Sequence, residues 1–455
     1  MDVPTSASGG PRPAPPDQAG EQAVLAKVTW RLLPLLLLCY IIAYIDRINV
    51  GFAKLHLQQV LGVDPATFGR VYGMGAGLFF IGYFLFEVPS NLILHRVGAR
   101  IWIARIMVLW GFISMGMMFI HNTTVFYCMR FLLGAAEAGF FPGVILYLTY
   151  WFPARERARA VALFATGGVI AGIVGSPISG LILGMNGLAG LAGWQWLFLI
   201  EGIPAVLLGL IVLIVLPKGP RHARWLTSSE CAWLESRIAA EETGSGQARR
   251  HRLAEAFTSR RVWLLCLLYF LLNVGGYGYE MWLPSIVKDF SKSSDAAVGF
   301  LNALPYLAAA VAMVAVGRYS DRTGHRRWPV ALGAGVSAVG FALSGWLQSP
   351  YLAIAALILA FVGLKSTLGP FWALGTTFLS GTAAAGGIAL INSVGNLGGF
   401  AGPYLVGVIK DLTGSNLAAL LMLGGALLAM GLLALAIPEP RQSAAPAVTL
   451  KPEPS

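Results

Sequence analysis

Hydrophobic residues fall in long blocks along this chain. Each block is about 20 residues or more, long enough to cross a ~30 Å hydrocarbon layer as a helix. The blocks predict twelve transmembrane helices, here called spans 1–12. Six lie near 29–58, 68–95, 101–120, 123–150, 157–184 and 194–217. Six more lie near 261–288, 296–318, 328–347, 350–380, 383–410 and 416–438. Residues 1–24 are rich in Pro, Gly, Ala and Ser and are expected to form a disordered cytoplasmic tail, as is the Pro/Ala-rich stretch 439–455. The first tail holds no short apolar run with a cleavage site, so it does not read as a secretory signal. The polar stretch 218–260 separates a six-span half over 25–217 from a second over 261–438. Within it, Thr227-x-x-Glu230 is a capping box, with Trp233, Leu234, Arg237 and Ile238 behind it at helical spacing. A short cytoplasmic helix bracing the linker is expected there.

Two motifs recur along the chain at nearly one offset. Leu94-His95-Arg96-Val97-Gly98-Ala99-Arg100 follows span 2, and Ser320-Asp321-Arg322-Thr323-Gly324-His325-Arg326 follows span 8, 226 residues later. Gly168, Gly172, Gly175, Pro177 and Gly180 of span 5 match Gly395, Gly399, Gly402, Pro403 and Gly407 of span 11, most of them 227 residues on. Chance glycines would not give two independent motifs one spacing. The expected fold is therefore an all-α membrane protein of twelve transmembrane helices in two six-helix pseudo-symmetric halves. Small residues every fourth position let helices approach closely, and the proline permits a bend.

Composition agrees. Only 12% of the 455 residues are charged and 56% are hydrophobic, against about 25% charged in soluble domains. A net charge of +11 would suit nucleic acid, but its placement argues for a lipid bilayer. Loops after spans 2, 4, 6 and 8 hold nineteen Lys and Arg; the opposite side holds five (Lys54, Arg70, Lys288, Lys292 and Lys410). That asymmetry puts both termini in the cytoplasm. Trp151, Trp282 and Trp328 near span ends read as an interfacial belt. Cys39, Cys128, Cys231 and Cys266 show no paired spacing and suit packing. The six histidines lack metal spacing and no phosphate-binding GxxxxGKS loop occurs, so neither a metal nor ATP-driven transport is expected. No catalytic constellation shares a face, which argues against an enzyme.

The chemistry lies in charges that interrupt the spans. An ionisable group at that depth costs about 2.5–3.5 kcal/mol on insertion scales and persists where it faces protein or a water-filled path. Span 1 carries Asp46 and Arg47 after an uncharged run from Leu32 to Ile45. Span 4 carries Arg130 and Glu137, seven residues apart and so on one helix face, about 10.5 Å apart along the axis. Span 10 carries Lys365 near mid-membrane. The Arg47 guanidinium keeps its charge and offers a planar fork matched to a carboxylate. Lys365 either faces the cavity as a second anion site or pairs with Glu280. Glu87 is expected to pair with cytoplasmic arginines, and Glu201 to pack or gate.

Gly317-x-x-x-Asp321-Arg322-x-Gly324-x-Arg326-Arg327 resembles the signature loop of the major facilitator superfamily, and the Gly-rich, Pro-containing span 5 resembles that superfamily's other familiar motif. More narrowly, the chain is similar to the anion:cation symporter family, whose members include tartrate, phthalate and sugar-acid permeases. The likeness rests on Tyr44-Ile45-Asp46-Arg47-Ile48-Asn49, on the stretch from Arg130 to Gly143, on Trp194-Gln195-Trp196 through Pro204, and on Gly369-Pro370-Phe371-Trp372. His95 departs from it, standing where the first-half loop usually has Asp.

The resemblance implies a proton-coupled symporter that imports a carboxylate-bearing organic anion, tartrate-like or an aromatic dicarboxylate, by alternating access. Protons are its coupling ion, and no other cofactor is implied. Asp46 and Glu137, with Arg130 beside them, are expected to serve proton coupling, and Arg47 to bind the anion. Tyr44, Tyr83, Lys365, Trp372, Asn392, Asn396, Asn273 and Tyr277 are candidate substrate contacts; each aromatic can equally be core, and each asparagine can equally join helices. Arg96, Arg100, Asp321, Arg322 and Arg326 are expected to gate the cytoplasmic side. A monomer in a bacterial inner membrane is expected, with no nucleic-acid partner. An efflux transporter and a non-transporting sensor are the alternatives.

Overall fold

A chain of this pattern can satisfy its backbone in lipid only as helices packed on one another. The computed structural model describes residues 18–243, 258–378 and 382–437, and among these it contains helices and no strand. Span 1 is α1 (Gln18–Ile48) running into α2 (Val50–Leu61), and span 2 is the long α3 (Pro65–Val97). Span 3 is α4 (Ala99–Gly116); span 4 divides into α5 (Thr123–Glu137) and α6 (Phe140–Thr149). Span 5 is α7 (Ala154–Ala165) with α8 (Gly167–Leu183), and span 6 is α9 (Gly193–Val215). After α10 (Ser228–Thr243), the second half runs through α11 (Arg260–Ser291), α12 (Asp295–Thr323) and α13 (Arg327–Trp346). Span 10 is α14 (Pro350–Ser366) with α15 (Leu368–Phe378), span 11 is α16 (Thr382–Asn396) with α17 (Gly398–Thr413), and span 12 is α18 (Asn416–Leu435).

Among the described residues, eleven of the twelve predicted spans are long and apolar enough to cross a membrane. Span 11 is the exception, because Asn392, Ser393, Asn396 and its many glycines dilute its hydropathy. Of the expected tails, residues 1–17 of the first and all of 439–455 lie outside the described residues.

The repeat read from sequence is also a repeat in space. The halves meet along two seams, α3 against α17 and α8 against α12. Tyr306 of span 8 lies over Gly172 of span 5, and Phe80 of span 2 lies over Gly399 of span 11. Tyr306 and Phe80 are themselves 226 residues apart. Further along, Gly180 packs on Gly299 and Gly407 on Gly69; a Cβ at either Gly180 or Gly407 would run into backbone. The glycines therefore set how closely the halves approach.

The end of the bundle away from the termini is shut by polar contacts between halves. Asp411 accepts the backbone N–H of Gly69 at 2.9 Å and of Arg70 at 2.7 Å. The Tyr72 hydroxyl donates to the Met281 carbonyl at 2.7 Å, and His56 meets Asp295 at 2.8 Å.

Helix α10 forms as its capping box predicts. The Glu230 N–H donates to Thr227 Oγ1 at 3.2 Å, and the Thr227 N–H donates to the Glu230 carboxylate at 2.8 Å. Glu230 also takes Lys27 at 2.9 Å, and Trp233 donates to Glu21 at 3.1 Å. These contacts correct the boundary at residue 25. Residues 18–24 are the first turns of α1, docked on α10, with Val24 buried.

The belt is also corrected. Trp328 is 47% exposed, but Trp151 and Trp282 are buried. Trp151 stacks on Trp225 with ring centres 5.6 Å apart. Trp282 holds the ammonium of Lys54, 4.2 Å from its ring centre, inside a cage completed by Tyr72 and Phe68. Lys54, counted above as a loop charge, is a buried residue of α2.

Candidate substrate and proton site

The apolar run of α1 ends in a turn that carries Asp46 and Arg47. Neighbours on a helix point about 100° apart, and here that separation sends them to different partners. Asp46 is turned toward span 3, where the Trp110 indole N–H donates at 2.7 Å and the Ser114 hydroxyl at 2.8 Å. The partner of Glu137 is Arg47, whose guanidinium is ion-paired with it.

Glu137 reaches that position because span 4 is broken directly after it. Ala138 is extended and Gly139 takes φ 89°, a left-handed conformation natural to glycine, before the helix restarts at Phe140. The second Glu137 oxygen and Arg47 Nε are buried without a protein partner among the described residues. Burying two such charges costs several kcal/mol per ion before their attraction is counted, so the pair is a weak source of stability.

Arg130, on the Glu137 face of α5, does not pair with it. Its guanidinium runs to the carbonyls of Gly75 and Ala76 on α3, at 3.4 and 3.2 Å, with the Phe79 ring centre 5.1 Å away. The residue is fully buried and ties span 4 to span 2.

A second pair stands in the other half. Lys365, in the last turn of α14, meets Glu280 of α11 at 2.6 Å. Of the two readings drawn from sequence, pairing with Glu280 is therefore formed, and the lysine also lines a cavity. The two pairs are cross-linked through tyrosines. Arg47 donates to the Tyr277 hydroxyl of the second half at 3.2 Å, and Tyr44 of the first half donates to Glu280 at 2.7 Å. The Tyr44 ring centre is 5.7 Å from the Arg47 guanidinium and 5.8 Å from the Lys365 ammonium.

Beside these groups lies a cavity of about 110 Å³, bordered by Tyr40, Tyr44, Tyr269, Tyr277, Glu280 and Lys365 among others. Asn273 borders it too. From Glu280 the lining descends through Gly168, Tyr269 and Leu368, toward the end that carries the termini.

The remaining expected residues divide. Tyr83 packs its ring against the Arg47 guanidinium at 5.6 Å. Trp372 lies against Tyr269 and Phe371, behind the cavity wall. Asn392 and its neighbour Ser393 donate to Glu87 at 3.2 and 2.9 Å, and this corrects the expectation that Glu87 pairs with arginines. The contact joins the halves on the side of the termini. Asn396 closes α16 a turn further on and does not border the cavity. Ser179 donates to Glu201 at 2.6 Å within the first half.

The expected gate contacts are local to each half. Arg100 donates to the Leu216 carbonyl at the end of α9, and Arg326 pairs with Asp321 at 2.7 Å within its own loop. Arg96 and Arg322 are exposed.

Two homologous six-helix halves around a buried polar cavity define a membrane transporter of the alternating-access kind. The chain belongs to the Major Facilitator Superfamily, whose model matches residues 36–403 and 292–454. It is 50% identical, over 91% of both chains, to an Agrobacterium vitis protein named "Putative tartrate transporter". It is also 44% identical to the "Quinolone resistance transporter" of Acinetobacter baumannii, over 89% of this chain and 92% of that one. Among solved structures it resembles the partially occluded inward open conformation of the xylose transporter XylE from E. coli. That likeness has a TM-score of 0.75 at 14% identity and covers 92% of this chain and 100% of that one.

Proposed function

We propose that this transporter is a proton-coupled symporter that imports a carboxylate-bearing organic anion, tartrate-like or an aromatic dicarboxylate, across a bacterial inner membrane, as a monomer with both termini in the cytoplasm. The observation that carries this reading is the arrangement of Arg47–Glu137 and Lys365–Glu280. Each half contributes one of these two cations, each of the two is balanced by an acid, and both flank the Tyr44 ring. A substrate carboxylate competes with Glu137 for Arg47, and a proton on Glu137 removes the competitor. That exchange links anion binding to proton uptake. Asp46, held by Trp110 and Ser114 on the other side of span 1, is the second carboxyl in reach of proton traffic. The name of the tartrate relative supports the substrate class.

Uptake of labelled tartrate or phthalate into proteoliposomes tests it. An inward proton gradient is expected to drive accumulation with or without sodium. Accumulation that needs sodium and ignores the proton gradient would overturn the coupling. The quinolone-resistance relative favours a second reading, efflux of other organic compounds; raised drug tolerance in cells expressing the chain, without anion uptake, would select it.

A further inference from the structure

Among the described residues, Glu280 is the one acid bordering the cavity, and Lys365 is the one base. They are ion-paired at 2.6 Å, and both are nearly removed from solvent, with side chains 1% and 14% exposed. A site built only to bind anions gains nothing from a resident acid on its cation, because a buried pair returns little stability for the desolvation it demands. The acid is nonetheless held in place from the opposite half, by the Tyr44 hydroxyl at 2.7 Å.

We propose that Glu280 is a built-in substitute for a substrate carboxylate on Lys365, and that its displacement makes the transporter discriminate dicarboxylates from monocarboxylates. The inference rests on the symporter reading above and names its specificity determinant. In the resting site the Glu280 carboxylate neutralises Lys365. A proton from solution adds to a Glu280 oxygen, the ion pair is lost, and the freed ammonium takes the second carboxylate of a substrate whose first is on Arg47. The site then holds one added proton and one added carboxylate, so its charge is unchanged. A monocarboxylate has nothing to offer Lys365 and leaves Glu280 as it is. Among the described residues, Lys365 from α14 and Tyr44 from α1 contact Glu280, with Tyr40 of α1, Tyr277 and Tyr279 of its own helix and Tyr306 of α12 nearby. Lys365 is the one cation in direct contact, so the proton state of Glu280 decides whether that cation is free.

Tartrate and threonate differ by one carboxylate and serve as probes. Their affinities for the full-length purified protein are measured by thermal shift and calorimetry at one fixed pH. Effects of Asp46 and Glu137 are shared by both probes, so the tartrate-to-threonate affinity ratio isolates the Lys365–Glu280 pair. Glu280→Gln should raise the ratio tenfold or more, because the ammonium is then free before substrate arrives; Lys365→Gln and the double variant Glu280→Gln/Lys365→Gln should both lose the preference for tartrate. A ratio that is unchanged or lower in Glu280→Gln overturns the inference. If Glu280→Gln does not yield folded protein, Lys365→Gln decides: a wild-type ratio overturns it, a lost preference upholds it. Failure of the symporter reading looks different, since the wild type would then bind neither probe.

Discussion

At the scale of single residues, the proposed site turns on competition between fixed acids and an arriving one. Arg47 is held by Glu137 and Tyr277 and flanked by Tyr44, Phe79 and Tyr83. Its planar fork suits a carboxylate in a way that a lysine ammonium does not. Arg47→Lys is therefore expected to weaken anion binding at least tenfold, about 1.4 kcal/mol, as read by calorimetry; unchanged affinity would remove Arg47 from the site. Asp46→Asn and Glu137→Gln should each abolish concentrative uptake while exchange of labelled for unlabelled substrate survives. If both variants still concentrate substrate, these are not the coupling groups. The identities of the charged residues were legible in sequence because charge inside an apolar run is conspicuous. Their partners were not, since pairing depends on helix rotation and crossing. Glu137 was expected with Arg130 beside it and is bound to Arg47; Glu87 was expected among arginines and meets Asn392. Lys54 escaped notice because it stands close to a predicted span end, where a lysine normally reaches water.

At the scale of elements, the charged side chains of the proposed site gather where spans are interrupted. Arg47 lies in the last turn of α1, Lys365 in the last turn of α14, and Glu137 is the final residue of α5. A helix end leaves carbonyls without intrahelical donors and favours a cation nearby. Hydropathy could not reveal these breaks, because apolar sequence continues across them; only Gly139 hinted at one. The glycine seams, by contrast, were visible as a repeat. Gly407→Ala places a methyl against the Gly69 carbonyl, so it should disfavour closure at the loop end and slow turnover in proteoliposomes without unfolding the protein. Normal turnover would show that the seam is not tight. Helix α10 gives a pH-dependent check. Partial burial raises the Glu230 pKa, but the Thr227 N–H and the Lys27 ammonium outweigh it and hold the carboxyl below its usual 4.5. The stability it adds is present above the unfolded value and is lost as pH falls through the lowered one. Amide exchange in α10 should accelerate over that acid range, and Glu230→Gln should remove the pH dependence.

For the whole molecule, the structure is closed at the loop end, and its cavity reaches toward the end bearing the termini. The loop end is held by Asp411, Tyr72 and the glycine seams, and by Lys54 of the first half against Trp282 of the second. A desolvated cation–π contact contributes about 2 kcal/mol. Lys54→Met is accordingly expected to shift the population toward opening at that end. A cysteine at buried Ser285, in a background lacking the native cysteines, should then react with an impermeant maleimide several times faster; equal rates would mean the cage is not a latch. Sequence reading recovered the twelve spans and the two halves, because bilayer thickness and the placement of basic loops constrain them strongly. It could not give the conformational state, which depends on small differences between two sets of interfaces.

The most direct measurement is of the proton itself. Proteoliposomes carrying a trapped pH dye are prepared at equal pH inside and out, and tartrate is added outside. A dianion entering with two protons is electroneutral, so entry needs no membrane potential, whereas a monoanion with two protons gains about 2.3 kcal/mol per 100 mV, inside negative. The lumen is predicted to acidify as tartrate enters, and Glu137→Gln to abolish that acidification. Tartrate accumulating with no change in internal pH would contradict the proposal that anion and proton share one site.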